Sequence, residues 1–188
     1  MNKQLGFLHN SEKCVGCRGC EMACKNLYQT DISQRWRQVF QIDENAYPLP
    51  SRMFISIGCN HCSEPQCMKV CPVGAYTKRD DGIVIHDDNR CIGCRLCVMA
   101  CPYGRPQFNS VINIVQKCNL CYQRVDKGEK PACVASCVAG ALELVQINSS
   151  LDAKTGVLKT LPGLPSPSIT NPSIRFVGPK QGKQVRRD

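Results

Sequence analysis

The sequence predicts an α+β chain of two small units, one inserted in the other, followed by an extended C-terminal tail. Three observations predict it. All sixteen cysteines of the 188 residues fall into four groups of four. The segment Cys71-Pro-Val-Gly74-Ala75 is echoed by Cys137-Val-Ala-Gly140-Ala141, each leading into a β-prone run. After residue 147 the cysteines stop and prolines take over. The expected layout is an outer unit of 1–30 with 112–147, a connector at 31–49, an inner unit at 50–111 and a tail at 148–188.

The outer unit opens with Cys14, Cys17, Cys20 and Cys24, spaced C-x2-C-x2-C-x3-C, and the inner unit repeats that spacing at Cys91, Cys94, Cys97 and Cys101. Cys59, Cys62, Cys67 and Cys71 read C-x2-C-x4-C-x3-C, and Cys118, Cys121, Cys133 and Cys137 read C-x2-C-x11-C-x3-C. Thiolates are soft ligands that select zinc, copper(I) or iron–sulfur clusters. The 2-2-3 spacing is the bacterial ferredoxin run, so the units are expected to be ferredoxin-like and to hold four 4Fe–4S clusters. Glu21-Met-Ala-Cys24-Lys and Val98-Met-Ala-Cys101 read as helix starts after the third cysteine. A fourth cysteine on such a helix points away from its own loop and serves a neighbouring cluster.

Exchange of fourth cysteines predicts nested ligand sets. Cys14, Cys17, Cys20 and Cys137 form cluster site 1, and Cys59, Cys62, Cys67 and Cys101 form site 2. Cys91, Cys94, Cys97 and Cys71 form site 3, and Cys118, Cys121, Cys133 and Cys24 form site 4. A compact chain of this length is roughly 40 Å across, which spaces the four about 10 Å apart, close enough for rapid electron hops.

The connector, with Trp36 and Tyr47-Pro48-Leu49-Pro50, carries no clear pattern. In the inner unit, Arg79-Asp80-Asp81-Gly82 between Ala75-Tyr76-Thr77 and Ile83-Val84-Ile85 predicts a hairpin. Leu142–Ile147 predicts a strand after the second echo. The tail holds five prolines and seven basic against two acidic residues. It reads as extended chain, either disordered or docked on a partner through Ile169, Ile174, Phe176 and Val177.

Disulfides need an oxidising compartment, and the first residues, MNKQLGFLHNSEKC, have neither the apolar core of a secretory signal nor a twin arginine. Zinc remains a rival at Cys118, Cys121, Cys133 and Cys137 alone. No run of residues is apolar and long enough to span a membrane. The chain is therefore expected to be made in the cytoplasm, with any membrane association or export coming through partners. The formal charge of +9 admits a nucleic-acid-binding module as a competing function. Four oxidised clusters with their thiolates would contribute about −8, so the basic excess reads as compensation for buried anionic cofactors and no nucleic acid is expected.

His61 is placed to tune a cluster by hydrogen bonding, His9 and His86 read as surface groups, and Arg18, Lys25 and Arg95 flank cysteines. No carboxylate pair, nucleophile–base constellation or phosphate-cradling loop is present, so no catalytic residue is expected. The thin hydrocarbon supply makes the metal part of the core, and removal of iron is expected to unfold the chain.

Leu5-Gly-Phe7, SIGCNHCSEPQCMKVCPVGAYTKRDDGIV at 56–84, CIGCRLCVMACPYGRPQFN at 91–109, KCNLCYQRVDKGEKPACVASC at 117–137 and Thr170-Asn171-Pro172-Ser173-Ile174 carry a resemblance. They are similar to the iron–sulfur subunits of dimethyl sulfoxide reductase and related polysulfide and thiosulfate molybdoenzymes. That resemblance implies the same nested ligands and a trimer. In it, a molybdopterin catalytic subunit is fed by this chain, and a membrane anchor subunit oxidises menaquinol. It also implies that the third group faces the membrane end, with the first and fourth towards molybdenum. Relatives with Trp at the position of Cys97 hold a 3Fe–4S cluster, so Cys97 implies four cubanes. Val138, where many relatives have Pro, and the short connector depart from the pattern without touching the ligands. A freely diffusing polyferredoxin serving another oxidoreductase is the competing reading.

Overall fold

The computed structural model describes residues 3–44 and 51–178. It is a mixed α/β chain of short elements, and its central sheet joins the two ends of the described chain. β1 (Leu5–Asn10) lies between β8 (Leu142–Gln146), antiparallel to it, and β10 (Ile174–Val177), parallel to it, with β9 (Val157–Leu158) at the edge. Phe7 sits opposite Leu144 on one side and Ile174 on the other. Gly6 makes the close approach possible, since a Cβ there would stand 2.0 Å from the Ser173 carbonyl oxygen.

Between these strands the chain runs through α1 (Gly19–Tyr28) and the antiparallel pair β2 (Gln38–Glu44) and β3 (Ser51–Ile57). α2 (Gln66–Lys69) follows, then the hairpin β4 (Tyr76–Lys78) and β5 (Val84–His86). α3 (Leu96–Ala100) leads to a second hairpin, β6 (Gln107–Asn109) with β7 (Ile114–Gln116). α4 (Tyr122–Val125) and α5 (Ala132–Ala135) precede β8, and α6 (Ser149–Asp152) follows it. α1 packs on α5, and α2 on α3.

The main core gathers Leu5, Phe7, Val39, Ile55, Ile83, Leu120, Leu142, Ile174 and Phe176. Smaller clusters hold Tyr76, Val84 and Val115, and, beside cysteines, Trp36. Each fully buried aliphatic or aromatic side chain contributes about 1.5–3 kcal/mol. Cysteines occur in all three clusters, so the thiol sites and the hydrocarbon core are continuous.

The hairpin expected at 79–82 is present, with Gly82 in the left-handed region and bonded back to Arg79. The connector, to which the sequence assigns no structure, leads into a strand pair, β2 with β3, in register from Gln38 opposite Ile57. Tyr47-Pro48-Leu49-Pro50 lies outside the described residues. The tail is not simply extended, because β10 pairs with β1 and buries Ile174 and Phe176 in the chain's own core. Pairing satisfies the strand's backbone groups and removes both side chains from water, which an open arm cannot do. Ile169, on a single helical turn at Pro167–Ile169, stays half exposed.

Candidate metal centres

Three cavities are ringed by cysteines, and each draws on two groups. Cys14, Cys17, Cys20 and Cys137 line one, together with His9, Ser56 and Leu142. Cys59, Cys62, Cys67 and Cys101 line another, with His61, Val84 and Thr170. Cys71, Cys91, Cys94 and Cys97 line a third, with Tyr76 and Val115. The remaining four, Cys24, Cys118, Cys121 and Cys133, are all buried. Cys24 and Cys118 share a buried cluster with Cys59; Cys24 lies within electrostatic reach of Cys133, Cys121 and Cys20, and Cys118 within reach of Cys24, Cys59 and Cys133.

Short helices produce this distribution. α1 carries both Cys20 and Cys24, one turn and an axial rise of about 6 Å apart. α3 carries Cys97 and ends at Cys101, while Cys71 and Cys137 follow just after α2 and α5. The helices start earlier than expected, before the third cysteine rather than after it. Arg18 and Arg95 stand in the left-handed region at those starts, φ 59° and 62°, turning the chain from cysteine loop into helix. The echoed segments make the same turn. Gly74 and Gly140 have φ of 57° and 58°, and Ala75 and Ala141 then donate their N–H groups to Cys71 Sγ at 3.3 Å and Cys137 Sγ at 3.2 Å. Val115 N–H donates to Cys91 Sγ, and Leu120 N–H to Cys118 Sγ, both at 3.4 Å. Such N–H···S bonds are among the terms that set a cluster's potential.

Burial, reinforced by neighbouring thiols, pushes Cys24 and Cys67 up to about 12, and burial also takes Cys62 there. The fully buried Cys118 is likewise raised well above the usual thiol range by the same causes. Thiols so placed ionise when a metal supplies the opposing charge. None of the sixteen forms a disulfide. Among the described residues no three His, Cys, Asp or Glu side chains converge on a point as the ligands of one ion must. In three sets the thiols instead ring a cavity, which fits a polynuclear iron–sulfur guest better than a lone zinc.

Polar groups between the sets add to this. His61 is buried; its Nδ1 accepts from Val84 N–H at 3.0 Å and its Nε2 faces Cys118 Sγ at 3.9 Å. It therefore serves a cysteine of another group rather than its own. His9 and His86 are not the surface groups expected. His9 is fully buried under the first cavity, with Nε2 3.1 Å from the Phe54 carbonyl oxygen, and burial lowers its basicity. His86 has a side chain 4% exposed, with Nδ1 2.9 Å from Asp88 Oδ1. Lys25 Nζ donates to the Asp31 and Gln34 carbonyls, and the Arg95 guanidinium stacks 3.6 Å from the Phe108 ring centroid. Three buried cations, Arg37, Lys117 and Arg175, carry no signal in the sequence, and two of them lie beside cysteines. Lys117 Nζ donates to the carbonyls of Val84 at 2.5 Å and Cys118 at 3.0 Å. Arg37 lies among the cysteines of two sets. Nothing in the local sequence separates Arg37 from the exposed Arg35.

Residues 51–147 match the family described as 4Fe-4S dicluster domain, and residues 11–29 match 4Fe-4S binding domain. The sequence is 41% identical to an anaerobic dimethyl sulfoxide reductase chain of Escherichia coli (strain K12), over 93% of this chain and 88% of that relative. It is 36% identical to the thiosulfate reductase electron transfer subunit of Salmonella typhi, over 80% of each. It is 37% identical to a tetrathionate reductase subunit of Salmonella typhimurium, over 72% of this chain and 55% of the relative. With cysteine-ringed cavities and these likenesses together, the protein belongs to the family of iron–sulfur subunits of dimethyl sulfoxide reductase and related molybdoenzymes.

Proposed function

We propose that this chain is the electron-transfer subunit of a reductase complex, relaying electrons through four 4Fe–4S clusters and catalysing no substrate reaction itself. The observation that carries the reading is that each of three cavities is ringed by three cysteines of one run and the last cysteine of another. A bound 4Fe–4S cluster takes up and gives up one electron at a time. The protein holds four such groups in order, and its helices define that order.

In this reading Cys14, Cys17, Cys20 and Cys137 hold the first cluster, and Cys24, Cys118, Cys121 and Cys133 the fourth. Cys20 and Cys24 share α1, so these two sites are neighbours. Cys59, Cys62, Cys67 and Cys101 hold the second, joined to the fourth through His61 and Cys118. Cys71, Cys91, Cys94 and Cys97 hold the third, joined to the second because α3 and the turn after it carry Cys97 and Cys101. The path therefore runs first, fourth, second, third. The nested arrangement of two ferredoxin-like units is supported by β1 pairing with β8 and α1 packing on α5 around the inner segment.

The two ends of that path are also the exposed ones. Cys17 and Cys94 are the two exposed cysteines. Exposed Val15 lines the first cavity and exposed Ile92 the third, so each end offers apolar surface to a partner. We assign the first end to a molybdopterin catalytic subunit and the third to a membrane subunit that oxidises menaquinol. Among the described residues no helix is long and apolar enough to cross a membrane, so attachment falls to that partner.

Anaerobic purification with metal analysis tests the reading. It requires about 16 iron atoms per chain from four cubane sites, together with a molybdopterin subunit and a membrane subunit. Stoichiometric zinc would overturn it. A stable monomer passing electrons without either partner would favour the soluble polyferredoxin instead.

A further inference from the structure

Arg37 is a guanidinium with 1% of its surface exposed, set just before β2. Its Nη1 donates to the Ser56 carbonyl at 3.3 Å and to Ser56 Oγ at 3.2 Å, and its Cζ stacks 4.4 Å from the Phe7 ring centroid. Nε and Nη2 are buried and meet no hydrogen-bond acceptor. The buried Arg175, by contrast, is paired with the Asp152 carboxylate. Cys133, Cys118, Cys20 and Cys24 lie near enough for their thiolate forms to act on the charge of Arg37. Ser56 Oγ, its hydrogen-bond partner, also lies 3.3 Å from Cys20 Sγ. On the other side, a Cβ at Gly58 would stand 3.1 Å from Arg37 Nη2, so the chain leading into Cys59 packs directly against it.

A lone guanidinium in an interior is costly, and two neutral hydrogen bonds with one ring face do not offset that cost. Arginine does not escape by losing its proton. Burial of Arg37 therefore requires a resident negative charge beside it, and thiolate-ligated iron at the first and fourth cysteine sets is the candidate. We infer that Arg37 is the fixed positive charge that sets the potentials of the first and fourth clusters, raising both while leaving the third near its intrinsic value. The inference rests on the ligand sets proposed above. Reduction adds one negative charge to a site, so a nearby fixed cation stabilises the reduced state and raises the potential. Electrons entering at the third set then meet a downhill step into the half of the chain that contains Arg37. Because the charge is buried, added salt screens it little.

The test is a potentiometric titration of the holo complex followed by electron paramagnetic resonance, with iron counted in every sample. Each centre is identified by the signal that a serine substitution in its set alters. Arg37→Gln is expected to retain about 16 iron atoms and to lower the first and fourth potentials. The reduction equilibrium constant should fall at least tenfold, about 59 mV, at low and high salt alike. The third centre should not move, and Arg37→Lys should restore the wild-type values. Unchanged potentials with full iron, an equal shift of all four centres, or a lysine variant that behaves like glutamine would each overturn the inference. If Arg37→Gln fails to load iron, Arg37→Lys decides. Full iron with wild-type potentials supports the charge, and failure of both variants assigns Arg37 to packing and overturns it. A wild-type chain lacking four cubanes would overturn the ligand sets as well, and the iron count tells that case from a failure of Arg37 alone.

Discussion

His61 and Cys118 stand 57 positions apart in sequence, yet His61 Nε2 lies 3.9 Å from Cys118 Sγ. Because Val84 N–H donates to Nδ1 at 3.0 Å, the ring proton resides on Nε2 and points at the sulfur. The second cysteine group thus supplies a hydrogen bond to the fourth, linking the inner and outer parts of the chain. A hydrogen bond to a ligating sulfur raises a cluster's potential. His61→Leu is expected to lower the potential of the centre that includes Cys118 and to leave iron content intact. It also strands the Val84 N–H, costing about 1–3 kcal/mol in thermal or denaturant unfolding. An unchanged potential in the loaded variant would reduce His61 to a structural bond.

Cys24 tests the division of α1. Cys20 borders the first cavity, whereas Cys24, one turn on, is absent from its lining and comes within electrostatic reach of Cys133, Cys121 and Cys118. Cys24→Ser is expected to perturb the fourth centre's resonance and leave the first centre's spectrum as in the wild type. Cys137→Ser should do the reverse, although Cys137 lies in the fourth sequence group. If Cys24→Ser altered the first centre instead, the exchange of ligands would be refuted.

The tail strand tests how far the protein's own core depends on its last described residues. Phe176 is 1% exposed, and its strand is held by β1. Phe176→Ala is expected to destabilise the holo chain by about 3–5 kcal/mol. Ile169→Ala, at a half-exposed site, should stay within about 0.5 kcal/mol. Equal, small losses at both positions would mean that the tail contributes little outside a complex.

What was legible in the sequence was chemistry carried by local spacing. The cysteine runs, the Gly74 and Gly140 turns and the 79–82 hairpin each depend on a few neighbouring residues, so a linear pattern contains them. The burial of His9, Arg37 and Phe176 depends on β1 meeting β10 from the far end of the chain and on β2 pairing with β3. No local pattern encodes that pairing. The formal charge of +9 leads to the expectation that basic residues compensate buried clusters. It could not name Arg37 or Lys117, because a lone arginine or lysine in a linear sequence looks the same whether it faces water or sulfur. The tail misled for a related reason. Five prolines suggest open chain, but none of them falls in Ile174–Val177, where the edge of β1 needed a partner.

Asp152 and Arg175 give the fold a pH dependence separate from the metal sites. Arg175, 3% exposed, donates through Nε to Asp152 Oδ1 and through Nη2 to Oδ2 at 3.1 Å, and Lys159 Nζ lies 3.2 Å from Oδ2. The bond from Arg175, with help from Lys159, holds the Asp152 carboxyl below its ordinary range. A carboxyl lowered on folding contributes stability above its unfolded value, about 3.9, and that contribution is lost as pH falls through the lower folded value. Wild-type stability should therefore fall more steeply than that of Asp152→Asn as pH drops below about 4. At neutral pH the asparagine variant should be less stable by about 2–3 kcal/mol, under the 3–5 typical of a broken buried pair. Arg175 Nη1 keeps its bonds to the Pro172 and Ile174 carbonyls at 2.9 Å, which limits the loss. Denaturant unfolding of both holo proteins across pH 3–7 reads the difference directly, and parallel curves would mean that the pair carries no linkage to folding.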